Sequence, residues 1–120
     1  MRTEAEIERA IIKHLNEKDD VIAFKYYYST SNRQPVRNVA QLGVADIIVN
    51  YQVAEMCFVI YMEVKAGRGK QRASQYRFEE QIKGLSGLYY IVKSIDDAEQ
   101  ALMDARQVIL NNLQIAKIPW

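Results

Sequence analysis

The stretch that decides the fold is GVADIIVNYQVAEMCFVIYMEVKAG, residues 43–67. It contains two apolar runs, 44–52 and 56–65, and the few residues between them leave no room for a crossover connection. Consecutive strands joined this closely pair antiparallel, as a hairpin. A turn centred on Ala54 and Glu55 then places Asp46 directly opposite Glu63.

Three charged residues interrupt these apolar runs. Asp46 lies on the first run, and Glu63 and Lys65 lie near the end of the second. Opposed residues of a hairpin share one face of the sheet, as do alternate residues of one strand, so all three side chains share a face. An ordinary ion pair at a solvated strand end is one interpretation. A buried pair gains little over apolar residues, however, so we favour a functional site.

The three residues have the chemistry of a divalent-metal site. Magnesium prefers oxygen ligands, which Asp46, Glu63 and the backbone carbonyl of Val64 would supply, and Mn²⁺ substitutes for it. Protonated Lys65 cannot bind a metal, but it can orient or deprotonate a water, or stabilise developing negative charge. A cation would also cancel the repulsion between the two acids. Phosphodiester hydrolysis needs this combination.

Length and composition predict one soluble globular domain over residues 1–120. No apolar run reaches the roughly 20 residues that span a bilayer, and the acidic N-terminus does not resemble a signal peptide. The single cysteine, Cys57, excludes an intrachain disulfide. We expect it to be buried and inert, and we expect a bacterial or phage-infected cytoplasm as the location.

The charges are unevenly distributed, although the formal net charge is only +1. Residues 21–45 contain no acid, and residues 65–77 contain five cations and no acid. Such a protein can present one basic face to a phosphate backbone, although charges scattered by chance are the alternative. The candidate DNA-binding residues are Arg33, Arg37, Arg68, Lys70, Arg72 and Arg77.

The remaining segments predict three helices and two more strands. The first helix has a capping box of Thr3 and Glu6, a strand covers 21–30, and a long basic loop follows over 29–41. After the hairpin come a helix over 71–85, a strand from residue 88, and a third helix, capped by Ser94 and Asp97, to about residue 110.

Apolar spacing within these segments predicts the packing. The inward stripe of the second helix is Phe78, Ile82 and Leu85, and that of the third is Leu102, Ala105 and Ile109. The strand over 56–65 is apolar on both faces, so we expect it to be central and covered on both sides. The order α-β-β-β-α-β-α predicts an α/β fold with a mixed sheet flanked by helices.

At this point the motifs resemble a known family. They are G-x-x-D (Gly43 and Asp46), E-V-K (residues 63–65), a glycine-bracketed basic loop, and Gln75 twelve residues past Glu63. This pattern resembles the virus-type replication-repair nuclease (VRR-NUC) branch of the PD-(D/E)xK superfamily. The resemblance implies a restriction-endonuclease-like fold and a metal-dependent nuclease. Asp46 and Glu63 would bind the metal and Lys65 would assist the attack.

The resemblance also implies further site residues. Family members carry a glutamate on the first helix, which fits Glu4, with Glu6 and Glu8 close by. Gln75 would contact a water or a phosphate, or else remain a helix-surface amide. The chain departs from the family at Ala45, where a proline is usual, and at Arg72, where a serine is usual.

The resulting hypothesis is a Mg²⁺-dependent, phage-like endonuclease acting on branched DNA, similar to Holliday-junction resolvases and, like them, a homodimer. The tyrosines at 26–28 and the tail IAKIPW offer apolar surface for such an interface, although core packing explains them almost as well. Alternatives are a flap, nicking or restriction-type nuclease, or a non-catalytic DNA-binding or dimerisation module.

His14 is the only histidine and has no partner for a transition-metal site. Tyr61, on the Glu63 face, is expected to pack and not to react.

Overall fold

A computed structural model describes residues 2–26 and 43–116, excluding the side chains of 115 and 116. The predicted order of elements is confirmed. They are α1 (Glu4–Asn16), β1 (Val21–Lys25), β2 (Ile47–Val53), β3 (Met56–Val64), α2 (Ala73–Gly84), β4 (Leu88–Val92) and α3 (Ile95–Ala116). Arg33, Arg37, most of the 21–30 segment beyond β1 and the end of the tail lie outside the described residues. None of the helices in the described part is long and apolar enough to cross a membrane.

The four strands form a mixed sheet in the order β1-β2-β3-β4. The first two pairs are antiparallel and the β3–β4 pair is parallel. The hairpin register is the predicted one, with Ile47 opposite Met62 and Val53 opposite Met56. Paired strand begins at Ile47 and not at residue 44, because the chain enters through Gly43 in a left-handed conformation (φ 82°).

One face of the sheet carries the main hydrophobic core. The inward residues of β2 alternate along the strand and are buried against α1 and α3. Helix α3 contributes the predicted Leu102, Ala105 and Ile109, and its N-terminus is capped by the Ser94 Oγ, which accepts a 3.0 Å hydrogen bond from the Asp97 amide. The helix runs on to residue 116 and not to 110, because no glycine or proline occurs before Pro119.

The opposite face of the sheet is covered only in part, by the short helix α2. A small second cluster of Ala45, Phe78 and Tyr89 lies beneath it. The prediction that β3 is covered on both sides is therefore wrong for its first half, where Val59 is 44% exposed. The prediction that Cys57 is buried is wrong for the same reason, since that residue is exposed.

Leu85 is not part of the core either. It follows the last residue of α2 and is 81% exposed, whereas Phe78 is buried and Ile82 is partly buried against the second cluster. The helix ends at Gly84, so Leu85 lies beyond the last apolar contact of α2, which Ile82 makes.

Candidate metal centre

Asp46 and Glu63 meet at one end of the sheet, where β2 begins and β3 ends. The Asp46 Oδ2 accepts a 2.8 Å hydrogen bond from the Val64 amide, which joins the two strands beyond their paired residues. The Asp46 carbonyl accepts a 2.9 Å bond from the Tyr26 amide, which holds the backbone. Because the N–H and C=O of one extended residue point to the same side, the Val64 carbonyl points to the β2 side of β3 as well.

Glu63 is fully buried, and neither of its carboxylate oxygens has a hydrogen-bond partner among the described residues. The pKa of Glu63 is raised to about 9, first by burial and then by the neighbouring Asp46 carboxyl, while the charge of Lys65 acts in the opposite direction. A buried carboxylate without a partner is costly. A divalent cation bound between two carboxylates and a backbone carbonyl would remove that cost, so these residues fit Mg²⁺ or Mn²⁺.

Lys65 is also buried, at 5% exposure, and its ammonium is held by Gln75. The Lys65 Nζ donates to the Gln75 Oε1 at 2.9 Å, and the same oxygen accepts a 2.7 Å bond from the Arg72 amide. These two bonds use both lone pairs of that oxygen. Gln75 therefore reaches the site through Lys65, and only its amide nitrogen lacks a partner among the residues described.

The three glutamates of α1 have different surroundings. Glu6 stays at the helix cap, where its amide donates to the Thr3 Oγ1 at 3.2 Å. Glu8 is buried and forms a 3.2 Å ion pair with Lys25. Burial raises the pKa of Glu8, and the hydrogen bond from Lys25 opposes that rise.

Glu4 is exposed and lies at the rim of the site. Its Oε1 is 3.2 Å from the point that a Cβ on Gly69 would occupy, and its charge contributes to the raised pKa of Glu63. No set of three or more aspartate, glutamate, histidine or cysteine side chains within residues 2–26 and 43–116 is arranged to hold a metal ion. A cation here would therefore depend on Asp46, Glu63 and backbone oxygen.

Aromatic packing under α2 supports the site from one side. Tyr61 meets Phe78 edge-to-face with ring centroids 5.1 Å apart, in agreement with its expected packing role. Phe78 in turn contacts Tyr89, whose hydroxyl accepts a 3.0 Å hydrogen bond from the Gln71 Nε2. Burial and then the charge of Glu63 raise the pKa of Tyr89.

Tyr89 is not among the site residues predicted from the sequence, although strand alternation contained the signal. In β4 the residues Leu88, Tyr90 and Val92 pack against the main core, which leaves Tyr89 on the face of Glu63. Alternation within β4 does not show which strand β4 pairs with. The parallel pairing of β4 with β3 places Tyr89 beside Tyr61.

The charged residues beyond the site divide into two groups. Four of the predicted DNA-binding cations are described, and all are exposed: Arg68, Lys70, Arg72 and Arg77. They follow β3 and run into α2, next to the candidate site. His14 is elsewhere, between α1 and α3, where its Nε2 lies 2.7 Å from the Glu99 Oε1.

Two solved structures have a fold similar to that of this chain. A VRR_NUC domain matches with a TM-score of 0.61 and 15% identity, over 85% of this chain and 97% of that one. A VRR_NUC domain protein matches with a TM-score of 0.59 and 16% identity, over 85% and 86% of the two chains. No family model and no curated protein matches the sequence. The chain thus has the fold of VRR_NUC domains, and the predicted restriction-endonuclease-like fold is confirmed.

Proposed function

We propose that this protein is a metal-dependent endonuclease that hydrolyses phosphodiester bonds in DNA. The observation that carries the proposal is the buried Glu63 carboxylate, which has no protein partner among the described residues and lies beside Asp46 and Lys65. A core gains nothing from such a group unless a ligand completes it. The likeness in fold to VRR_NUC domains supports nuclease chemistry for this chain.

Each residue has a defined role in this proposal. Asp46, Glu63 and the Val64 carbonyl would hold Mg²⁺, which supplies positive charge against the phosphate and lowers the pKa of a nearby water. The Lys65 ammonium lies on the same face and stabilises negative charge that develops on the phosphate. Gln75 holds Lys65 in place through its 2.9 Å hydrogen bond. Glu4, at the rim, would orient a water.

The exposed cations after β3 would bind the DNA backbone next to the site, which keeps the scissile phosphate near Lys65.

We propose branched DNA as the preferred substrate and a homodimer as the active form. One site cuts one strand, and a symmetric dimer supplies two sites to cut both arms of a junction. The proposal of a dimer that acts on branched DNA rests on the motif resemblance and on the need for two sites to cut two strands.

The test is cleavage by Asp46→Asn and Glu63→Gln, with Glu80→Gln on the exposed face of α2 as the matched control. Removing a group that stabilises transition-state charge typically costs on the order of 100–1,000-fold in rate. We expect losses of that size with Mg²⁺ or Mn²⁺, unchanged DNA affinity in EDTA, and a wild-type rate for the control. Metal-dependent cutting by the purified double variant would refute the proposal.

The substrate is tested by comparing four-way junction, flap, nicked and linear duplex DNA at equal concentration. Faster cutting of the junction, together with a dimer mass in solution, supports the resolvase-like form. Preference for a flap or a linear duplex would instead support the flap or restriction-type alternatives. Failure of Mg²⁺ and Mn²⁺ to bind in calorimetry would favour a non-catalytic DNA-binding module.

A further inference from the structure

Gly43 contacts the first turn of α2 at backbone level. Its φ is +82°, and a Cβ added to it would lie 2.7 Å from the Gln75 nitrogen and closer still to the Ser74 carbonyl. Real Cβ atoms do not approach backbone atoms so closely. Two independent requirements, the left-handed conformation and the absence of a side chain, therefore select glycine here.

The contact joins two parts of the site that are distant in sequence. Gly43 precedes Asp46 by three residues, so it lies where the chain enters β2. On the other side of the contact, the Gln75 side chain holds the Lys65 ammonium. The approach of Gly43 to Ser74 thus brings the first turn of α2, which carries Gln75, against the segment that leads to Asp46.

Besides the bond between Gln75 and Lys65, the described contacts of α2 lie mostly outside its first turn. Its N-cap residue, Arg72, provides no side-chain cap, and the Gln75 oxygen bonds the Arg72 amide instead. The apolar anchors Phe78 and Ile82 lie further along the helix. The Gln71 bond to Tyr89 holds the preceding loop and not the turn itself.

We infer that Gly43 is a positioning residue: it seats α2 so that Gln75 holds Lys65 against the metal centre. The inference rests on the proposed nuclease function and adds how the lysine is placed. A side chain at 43 would push the first turn of α2 outwards. The main core belongs to α1, α3 and the other face of the sheet, and it would remain intact.

The experiment compares Gly43→Ala with Gly84→Ala in single-turnover cleavage at saturating DNA. Gly84 has open space around it and no positive φ, so it is the matched control. A displacement of about 1 Å at a reacting group can cost on the order of 100-fold. We expect Gly43→Ala to lose roughly 10- to 100-fold in rate, with unchanged DNA affinity and a folded circular dichroism spectrum, and Gly84→Ala to match the wild type.

A double-mutant cycle with Gln75→Ala separates positioning from general damage. If Gly43 acts through Gln75, the double variant is no slower than the slower single variant. A wild-type rate for Gly43→Ala, or losses that multiply in the double variant, would overturn the inference.

If Gly43→Ala fails to fold, the contact can still be tested on the wild-type protein. The contact predicts nuclear Overhauser effects between the Gly43 α-protons and the Gln75 amide proton, and their absence overturns the inference. Failure of the wild type to cut any DNA would count against the proposed function alone, because these proton contacts are measured without activity.

Discussion

At the scale of single residues, Glu63 combines full burial with a carboxyl group whose two oxygens have no hydrogen-bond partner among the described residues. Lys65, two residues away, is also buried, but its ammonium donates a hydrogen bond to Gln75. Asp46 turns one oxygen to the Val64 amide. The residues around Glu63 therefore have protein partners, whereas the Glu63 carboxyl has none among the described residues.

This predicts a pH dependence of stability in the metal-free protein. The pKa of Glu63 rises from 4.5 to about 9 on folding, so between these values the folded state binds a proton that the unfolded state releases. The free energy of unfolding therefore falls as pH rises through that window. Urea unfolding in EDTA at several pH values should show this fall in the wild type.

Glu63→Gln should remove that part of the pH dependence, while the control Glu80→Gln should keep it. Added Mg²⁺ should restore wild-type stability most at the alkaline end, where the carboxylate is ionised. Parallel stability curves for the wild type and Glu63→Gln in EDTA would contradict the prediction.

At the scale of elements, the register of the β2–β3 hairpin brings Asp46 to Glu63. Ala54 and Glu55 occupy the two central positions of its turn with φ of 52° and 67°. A two-residue turn with positive φ at both central positions fits the twist of the strands. A positive φ is energetically unfavourable, however, for residues other than glycine. The hairpin thus keeps its register against an unfavourable turn sequence, because the buried alternation of β2 cannot slip by one residue.

Replacing the turn sequence should therefore stabilise the protein. Asparagine and glycine are the preferred residues at these positions, so Ala54→Asn with Glu55→Gly should raise the free energy of unfolding by about 1 kcal/mol. Chemical denaturation measures this. As a control, Glu80→Gly within α2 should cost about 1 kcal/mol. Destabilisation by the turn variant would contradict the positive φ values.

At the scale of the whole molecule, the two faces of the sheet are covered unequally. Helices α1 and α3 cover one face and bury most of the core, whereas α2 covers only the end that carries the site. Exposed apolar residues remain on the α2 side of the sheet, including Ile22 at 68% and Phe24 at 45%. Stability therefore resides in one layer and the candidate site in the other.

The same substitution, leucine to alanine, on each side of the sheet compares how much the two layers contribute to stability. Leu15 is fully buried in α1, and Leu85 is 81% exposed after α2. Leu15→Ala should cost about 2–5 kcal/mol in the free energy of unfolding. Leu85→Ala should change it by less than about 0.5 kcal/mol. Equal losses in thermal or urea unfolding would show that the end of α2 packs more closely than the structure indicates.

The sequence by itself determined the order of elements, the hairpin register and the meeting of Asp46, Glu63 and Lys65 on one face. These follow from local spacing: a short turn fixes which residues face one another, and alternation fixes the side of the sheet. Only the tertiary structure decided that Cys57 and Leu85 are exposed, that Gln75 bonds Lys65, and that Gly43 contacts Ser74. Each of these depends on where α2 rests on the sheet. Contacts between distant segments set that position, and no periodicity within α2 encodes it.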